Sequence, residues 1–152
     1  RKTIIHPESV TKIKIKDEDL LITPDMNPSG ELWMHWNLLK GRKETLSVLH
    51  LHPTYCVAAM YKNWQLNDIV KDFPEVFRYT KVGPNVPSLA ATSLDLADQT
   101  YIQMCADNDC KVMFDIVGQE CHGVTAIAKN PWDAFEHIER VEHICKIVLA
   151  AS

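Results

Sequence analysis

The sequence of 152 residues lacks the features that mark membrane-spanning and nucleic-acid-binding proteins. No apolar run approaches the roughly 18 residues that cross a bilayer, and residues 1–6 contain no apolar core of a signal peptide. The net charge is −4, so the basic excess of a nucleic-acid-binding domain is missing as well. We therefore expect neither a membrane nor a nucleic acid among the partners.

Closely spaced cysteine pairs are also missing. The five cysteines include no Cys-x-x-Cys pair, which excludes a zinc ribbon and a thioredoxin motif. Their odd number and irregular spacing are typical of buried or incidental thiols in a reducing compartment. We therefore predict a cytoplasmic protein whose cysteines are free.

The composition that remains indicates one globular domain over residues 1–152, with 46% hydrophobic and 24% charged residues. Alternating and β-branched stretches predict strands at 11–16, 20–23, 45–52, 111–117 and 121–128. Caps and helical spacing predict helices at 31–40, 54–61, from a capping box at 92–95 to about 106, and from 131 onward. Residues 62–75 are predicted as a loop that allows one helical turn. The last helix is expected to bury a stripe formed by Phe135, Ile138, Val141, Ile144, Cys145 and Val148.

The stretch Leu49-His50-Leu51-His52-Pro53 carries the strongest chemical signal. Side chains alternate along a strand, so His50 and His52 share one face at about 6–7 Å and can converge on one ion. Three histidines with an open or carboxylate-filled fourth position form a catalytic zinc site. Read alone, this spacing is weak evidence for a metal site and is more typical of two partly exposed histidines at a strand end.

Two distant residues, Glu31 and His122, would complete such a site. Glu31 is predicted in the first turn of a helix, where the helix dipole favours a carboxylate. The alternative for Glu31 is therefore a carboxylate that only stabilises its helix.

With these four residues in place, the chain resembles the class II aldolase/adducin family, whose best-known enzymes are the L-fuculose-1-phosphate aldolases. The matching motifs are Pro28-Ser29-Gly30-Glu31 followed by His35, then His50-Leu51-His52-Pro53, then Cys121-His122-Gly123-Val124, and a closing helix that starts at Asn130-Pro131. The resemblance implies a three-layer α/β/α fold with a central, mostly antiparallel sheet. It also implies a cyclic homotetramer with active sites at subunit boundaries. We expect the domain to be shortened at both ends relative to the family.

The resemblance implies that His50, His52 and His122 hold Zn²⁺ or another divalent ion, with Glu31 as an extra ligand and acid/base. The implied reaction cleaves a ketose 1-phosphate, similar to fuculose 1-phosphate, to dihydroxyacetone phosphate and an aldehyde through a metal-stabilised enediolate. A Lewis acid suits this chemistry because negative charge develops on two adjacent oxygens. Three neutral imidazoles would leave the ion its full positive charge.

Further roles follow from the same resemblance. Ser29 and the amide of Gly30 match the loop that binds the substrate phosphate, and a helix N-terminus suits an anion. The family usually has two serines there and a Gly-Asn-x-Ser segment upstream, which residues 1–27 do not contain. Tyr79 matches a tyrosine that assists proton transfer on the aldehyde side, although it also reads as a surface or core aromatic. Cys121 takes a position that is usually Asn or His, and is either a metal neighbour or a spectator.

The residues leave other functions of this scaffold open. A ketose-phosphate epimerase, a dehydratase or a decarboxylase uses the same metal-enediolate logic. A non-catalytic interaction module like that of adducin is the third hypothesis, which intact ligand residues disfavour. The expected partner is a small sugar phosphate.

Overall fold

The computed structural model describes residues 10–16, 19–22, 27–41, 45 and 47–152. The strands are β1 (Ile13–Lys16), β2 (Asp19–Ile22), β3 (Ser47–Leu51), β4 (Ile116–Gln119) and β5 (Gly123–Ala128). The helices are α1 (Leu32–Gly41), α2 (Thr54–Tyr61), α3 (Leu66–Ile69), α4 (Pro74–Tyr79), α5 (Leu94–Met104) and α6 (Pro131–Ala151), with a 3₁₀ turn at Val70–Asp72. Positions 23 and 46 of the predicted strands lie outside the described residues. Among the helices of this described part, none is both long and apolar enough to cross a membrane.

Strand β5 is the centre of a three-stranded antiparallel sheet with the order β3–β5–β4. The register places Thr125 of β5 between His50 of β3 and Val117 of β4. Strands β1 and β2 form a separate antiparallel pair. Because residues opposite each other in a ladder point to the same face, this register decides which side chains meet at the sheet surface.

Helices cover both faces of the three-stranded sheet. On one face, Val117 and Ile127 pack against Met34 of α1 and Leu96 of α5. On the other face, which includes Val124, the sheet packs against α2 and α6. Burying an aliphatic side chain in such a layer contributes about 1.5–3 kcal/mol. The predicted fold class, with helices on a central antiparallel sheet, is confirmed.

The cap of α6 agrees with the sequence, whereas the cap of α5 is Ser93, one residue after the start of the predicted capping box at 92–95. The Ser93 side chain accepts a hydrogen bond from the amide of Leu96 at 3.0 Å, and the Asn130 side chain accepts one from the amide of Asp133 at 3.0 Å. The buried stripe of α6 consists of Ala134, Ile138, Val141, Ile144 and Cys145. Phe135 does not belong to it and is 38% exposed, because the small Ala134 faces the core instead.

The prediction for 62–75, a loop that allows one helical turn, understates the helical content, since α3, the 3₁₀ turn and the start of α4 occupy most of this segment. Leu66 and Val70 are almost fully buried and join the cluster formed with α6. The amide of Leu66 donates to the side chain of Asn85 at 3.2 Å, which satisfies a free donor of the first turn. Turns this short depend on tertiary contacts, so they leave little local pattern in the sequence.

The predicted strand at 111–117 begins only at Ile116. The residues before it turn, and the Asp107 carboxylate accepts the amide of Lys111 at 2.7 Å. Within this turn Cys105 and Cys110 form a disulfide, so the prediction of free cysteines is wrong for these two. The free cysteines are Cys56, Cys121 and Cys145. The chain reverses direction between the paired cysteines, which their spacing alone does not reveal.

Candidate metal centre

Pairing of β3 with β5 brings together histidines that are far apart in the sequence. His50 lies near the end of β3, and His52 follows that strand by one residue. His122 is the last residue of the hairpin loop 120–122 that joins β4 to β5, directly before Gly123. Since β3 and β5 are antiparallel neighbours, the start of β5 lies beside the end of β3. The three imidazoles therefore meet at one corner of the sheet.

Their nitrogen atoms are close enough to share one ion. One ring nitrogen of each histidine lies within 4.8 Å of the other two, and the Nε2 atoms of His50 and His52 are 2.9 Å apart. The ring centroids of the three pairs are separated by 4.9–5.0 Å. A tetrahedral zinc ion with Zn–N bonds of about 2.0–2.1 Å needs nitrogens about 3.3 Å apart. The observed separations, 2.9 Å for one pair and no more than 4.8 Å for the others, lie on either side of this value, and the role of the three histidines as metal ligands remains a prediction.

Gly123 makes the close approach of the rings feasible. A Cβ at this position would lie 2.6 Å from Cδ2 of His52 and 3.2 Å from Cε1 of His50, and it would overlap the backbone oxygen of Leu51. Any side chain at this position would therefore push the rings out of the corner. The absence of a side chain leaves a cradle between the two strands into which both imidazoles fit.

Glu31 directly precedes α1, and its side chain reaches the same corner of the sheet. Its Oε1 is 3.6 Å from Nε2 of His122 and accepts the amide hydrogen of Thr92 at 3.1 Å. Thr92 has φ 63°, and a β-branched residue in this left-handed region is strained by about 1–3 kcal/mol. This unfavourable backbone turns an amide toward the carboxylate, so Glu31 is held next to the histidines.

Burial favours the neutral form of two of the three imidazoles, His50 and His122. It lowers the pKa of His50 to about 3, with further lowering from the neighbouring charges of His122 and His52. Burial also lowers the pKa of His122, although the Glu31 carboxylate acts in the opposite direction. The buried Nδ1 of His122 has no partner among the described residues. At neutral pH His50 and His122 are thus in the form that binds a metal ion.

Tyr79 lies away from this corner within one chain. It is the last residue of α4 and shares a cavity with Ile127, Ala128 and Lys129, at the other end of β5. The length of β5 separates that end from His122 by roughly 17 Å. A contact of Tyr79 with the histidine site would therefore require another copy of the chain.

The loop before α1 explains why a glycine follows Ser29. A Cβ at Gly30 would lie 2.6 Å from Cγ2 of Thr92, so the Thr92 methyl group occupies the space of a second serine. The hydroxyl oxygen of Ser29 accepts a hydrogen bond from the amide of Glu31 at 3.3 Å, within the turn that precedes α1. Ser29 is exposed at the start of the helix.

Sequence reasoning missed three residues around the site, namely Thr92, Thr125 and Met34. Thr125 could have been found by pairing the predicted strands, because antiparallel pairing places it opposite His50. The backbone conformation of Thr92 and the contact of Met34 with the sheet leave no local signal. Cys121 is exposed and has φ 58°, at the third position of the turn that the hydrogen bond from the amide of His122 to the backbone oxygen of Gln119 closes.

The chain belongs to the class II aldolase and adducin family. The sequence model described as "Class II Aldolase and Adducin N-terminal domain" matches residues 1–149. No curated protein gave a match. The family assignment made from the motifs is therefore confirmed.

Solved structures share the fold at low sequence identity. An L-fuculose 1-phosphate aldolase is 20% identical with a TM-score of 0.67, over 88% of this chain and 57% of that one. YgbL of Escherichia coli, for which aldolase, epimerase and decarboxylase activities are all named as candidates, is 17% identical with a TM-score of 0.74, over 92% and 65%. A sugar-phosphate aldolase of Thermotoga maritima is 23% identical with a TM-score of 0.62, over 80% and 51%. This chain thus spans between about half and two thirds of these proteins, and the likeness shows the fold alone.

Proposed function

We propose that this protein is a metal-dependent aldolase that cleaves a ketose 1-phosphate to dihydroxyacetone phosphate and an aldehyde. The observation that carries the proposal is the convergence of three imidazoles beside a restrained carboxylate at one corner of the sheet. Membership of the class II aldolase and adducin family supports it. A non-catalytic interaction module does not require three histidines and a carboxylate at one site, so this arrangement disfavours that alternative.

His50, His52 and His122 would hold the divalent ion, Zn²⁺ or another. When bound there, such an ion supplies a Lewis acid that stabilises negative charge on two adjacent substrate oxygens. Glu31 would move a proton to and from the substrate carbon, because its carboxylate is 3.6 Å from His122 and is kept in place by Thr92. As an extra ligand, Glu31 would give way to the substrate.

The start of α1 would bind the phosphate end of the substrate. Ser29 uses its oxygen to accept the Glu31 amide, which leaves its hydroxyl hydrogen to donate to a phosphate oxygen. The amide of Gly30 and the positive end of the helix dipole would add to the attraction. Because both residues adjoin Glu31, a substrate held there by its phosphate would place its carbon chain at the histidines.

Assembly would complete the site. We propose a cyclic homotetramer in which Tyr79 of a neighbouring copy approaches the histidines, since Tyr79 of the same chain is at the far end of β5. Tyr79 is 52% exposed, so it is available to a second copy. The cytoplasmic location remains a prediction from the sequence.

Product analysis tests the proposal. The zinc-loaded protein is incubated with L-fuculose 1-phosphate and other ketose 1-phosphates, and the products are identified by mass spectrometry. We expect dihydroxyacetone phosphate from at least one of them, and none from the Glu31→Gln variant, which keeps the shape of the side chain but cannot take up a proton. A product that has lost water would indicate a dehydratase of the same scaffold instead of an aldolase. Loss of carbon dioxide would indicate a decarboxylase, and an epimer of the substrate would indicate an epimerase.

A further inference from the structure

Thr125 is the cross-strand partner of His50, and its hydroxyl touches the imidazole. The register of β3 and β5 places the two residues directly opposite each other. The distance between Nδ1 of His50 and Oγ1 of Thr125 is 3.1 Å. This contact is on the side of the ring away from Nε2, which faces His52. Thr125 therefore touches the nitrogen of His50 that is not aimed at His52.

A buried polar chain extends behind Thr125. Its hydroxyl donates to Sδ of Met34 at 3.4 Å, and Nε2 of Gln119 donates to the same sulfur at 3.0 Å. Gln119 donates its other amide hydrogen to Oγ1 of Thr100 at 2.9 Å, and the Thr100 hydroxyl donates to the backbone oxygen of Leu96. Met34, Thr100, Gln119 and Thr125 are all fully buried. No water reaches these groups from the surface, so the direction of each hydrogen bond depends on its neighbours.

The direction of the Thr125 hydroxyl decides which nitrogen of His50 carries the proton. A hydroxyl has one hydrogen, and when it points to Met34 its oxygen can only accept from His50. His50 must then carry its proton on Nδ1, which leaves the lone pair of Nε2 free. If the hydroxyl pointed to His50 instead, the proton would be on Nε2 and would block that nitrogen as a ligand.

We propose that Thr125, oriented by Met34, is a positioning residue that keeps His50 in the Nδ1–H tautomer and so presents Nε2 to the ion. This inference rests on the proposed metal site. It also determines which nitrogen of His52 carries the proton in the metal-free protein. The 2.9 Å contact between the Nε2 atoms needs one hydrogen, and that hydrogen must come from His52 because His50 has none on Nε2. Zinc binding should therefore change the tautomer of His52 and leave that of His50 unchanged.

The first test is made on the metal-free protein and needs no activity. Nitrogen NMR of protein labelled with ¹⁵N-histidine distinguishes the two tautomers, and His50→Ala assigns the His50 signals. We expect the Nδ1–H form for His50 before and after zinc is added. For His52 we expect a change from Nε2–H to Nδ1–H. An Nε2–H tautomer of His50 in the metal-free protein would overturn the proposal, whether or not the protein proves to be an aldolase.

The second test measures zinc affinity by competition with a chelator. Thr125→Val keeps the shape but removes the hydroxyl, and we expect a loss of about 10- to 100-fold, the range for partners that orient a metal ligand. Thr125→Ser restores the hydroxyl and should recover affinity to within about threefold. The matched control is Thr80→Val, because buried Thr80 makes the same kind of contact, 2.9 Å from Nδ1 of His137, away from the site.

The outcomes of the second test separate a positioning role from a packing role. Unchanged affinity in Thr80→Val together with loss in Thr125→Val and rescue by Thr125→Ser supports the proposal. Wild-type zinc affinity in Thr125→Val contradicts the proposal. A loss of zinc affinity in Thr125→Ser and Thr80→Val that equals the loss in Thr125→Val also contradicts it. A wild-type protein that binds no zinc would instead refute the proposed function. The tautomer measurement would still test whether Thr125 sets the tautomer of His50.

Discussion

At the scale of the residue, the corner of the sheet depends on His52, the most exposed of its three imidazoles. The His52→Ala variant should bind zinc more than about 100-fold more weakly, because only two imidazoles remain to the ion. The free energy of unfolding of the metal-free protein should change by less than about 0.5 kcal/mol, since an exposed ring leaves no cavity. Zinc affinity and urea unfolding measure the two quantities.

The control for this prediction is His143→Ala, which removes an exposed histidine of α6 outside the site. It should bind zinc as the wild type does. If His52→Ala retained wild-type zinc affinity, the three-histidine site would have to be abandoned.

At the scale of the element, α2 is held by a residue from the other end of the chain. Pro53 precedes α2 and provides no side-chain cap. In its place, the Glu142 carboxylate of α6 accepts the amides of Tyr55 at 3.0 Å and Cys56 at 2.8 Å. A carboxylate at a helix N-terminus also interacts favourably with the helix dipole. Since α2 follows directly after His52, this contact anchors the element next to the candidate site.

The Glu142→Gln variant tests this cap. An amide has one acceptor oxygen and no charge, so we expect the free energy of unfolding to fall by about 1–2 kcal/mol. Glu139→Gln on the exposed side of α6 is the matched control and should change it by less than about 0.5 kcal/mol. Equal effects of the two substitutions in urea unfolding would show that the cap contributes nothing.

At the scale of the whole molecule, the buried histidines make the stability of the metal-free protein depend on pH. Burial lowers the pKa values of His50, His35, His122 and His137 in the folded state, whereas an unfolded histidine titrates near 6.5. Below about pH 6.5 the unfolded chain therefore binds more protons than the folded one. The free energy of unfolding should be greatest above that pH and should fall as the pH is lowered.

Urea unfolding in the presence of a chelator, between about pH 7.5 and pH 5, measures this effect, because most carboxylates stay ionised in that range. The decline should be smaller in His50→Asn, which removes the imidazole whose pKa is lowest among the values above. A variant with the same decline as the wild type would show that His50 is not protonated on unfolding.

Assembly provides a second prediction for the whole molecule. If Tyr79 acts in the site of a neighbouring copy, the inactive variants Tyr79→Phe and His52→Ala should complement each other when they are co-expressed. Random mixing gives an intact combination at roughly a quarter of the sites, so about a quarter of the wild-type activity should return. A mixture no more active than its components would place Tyr79 outside the site.

Local sequence determined the elements whose residues carry their own signal. Asn130 marks the start of α6 by its cap, and the spacing of Ile138 and Val141 marks the buried side of that helix. The four candidate residues Glu31, His50, His52 and His122 could also be selected from the sequence, because they lie in motifs of a known family. These features depend on residues within a few positions of one another, which a single sequence displays directly.

Tertiary structure alone decided what depends on distant pairs. The helices at 66–79 form because Leu66 and Val70 find a core to enter, and Cys105 meets Cys110 because the chain turns back between them. The same holds at the candidate site, where strand register sets Thr125 against His50. The physical reason is that sequence specifies which groups can interact, whereas packing of the sheet and its helices determines which of them come within bonding distance.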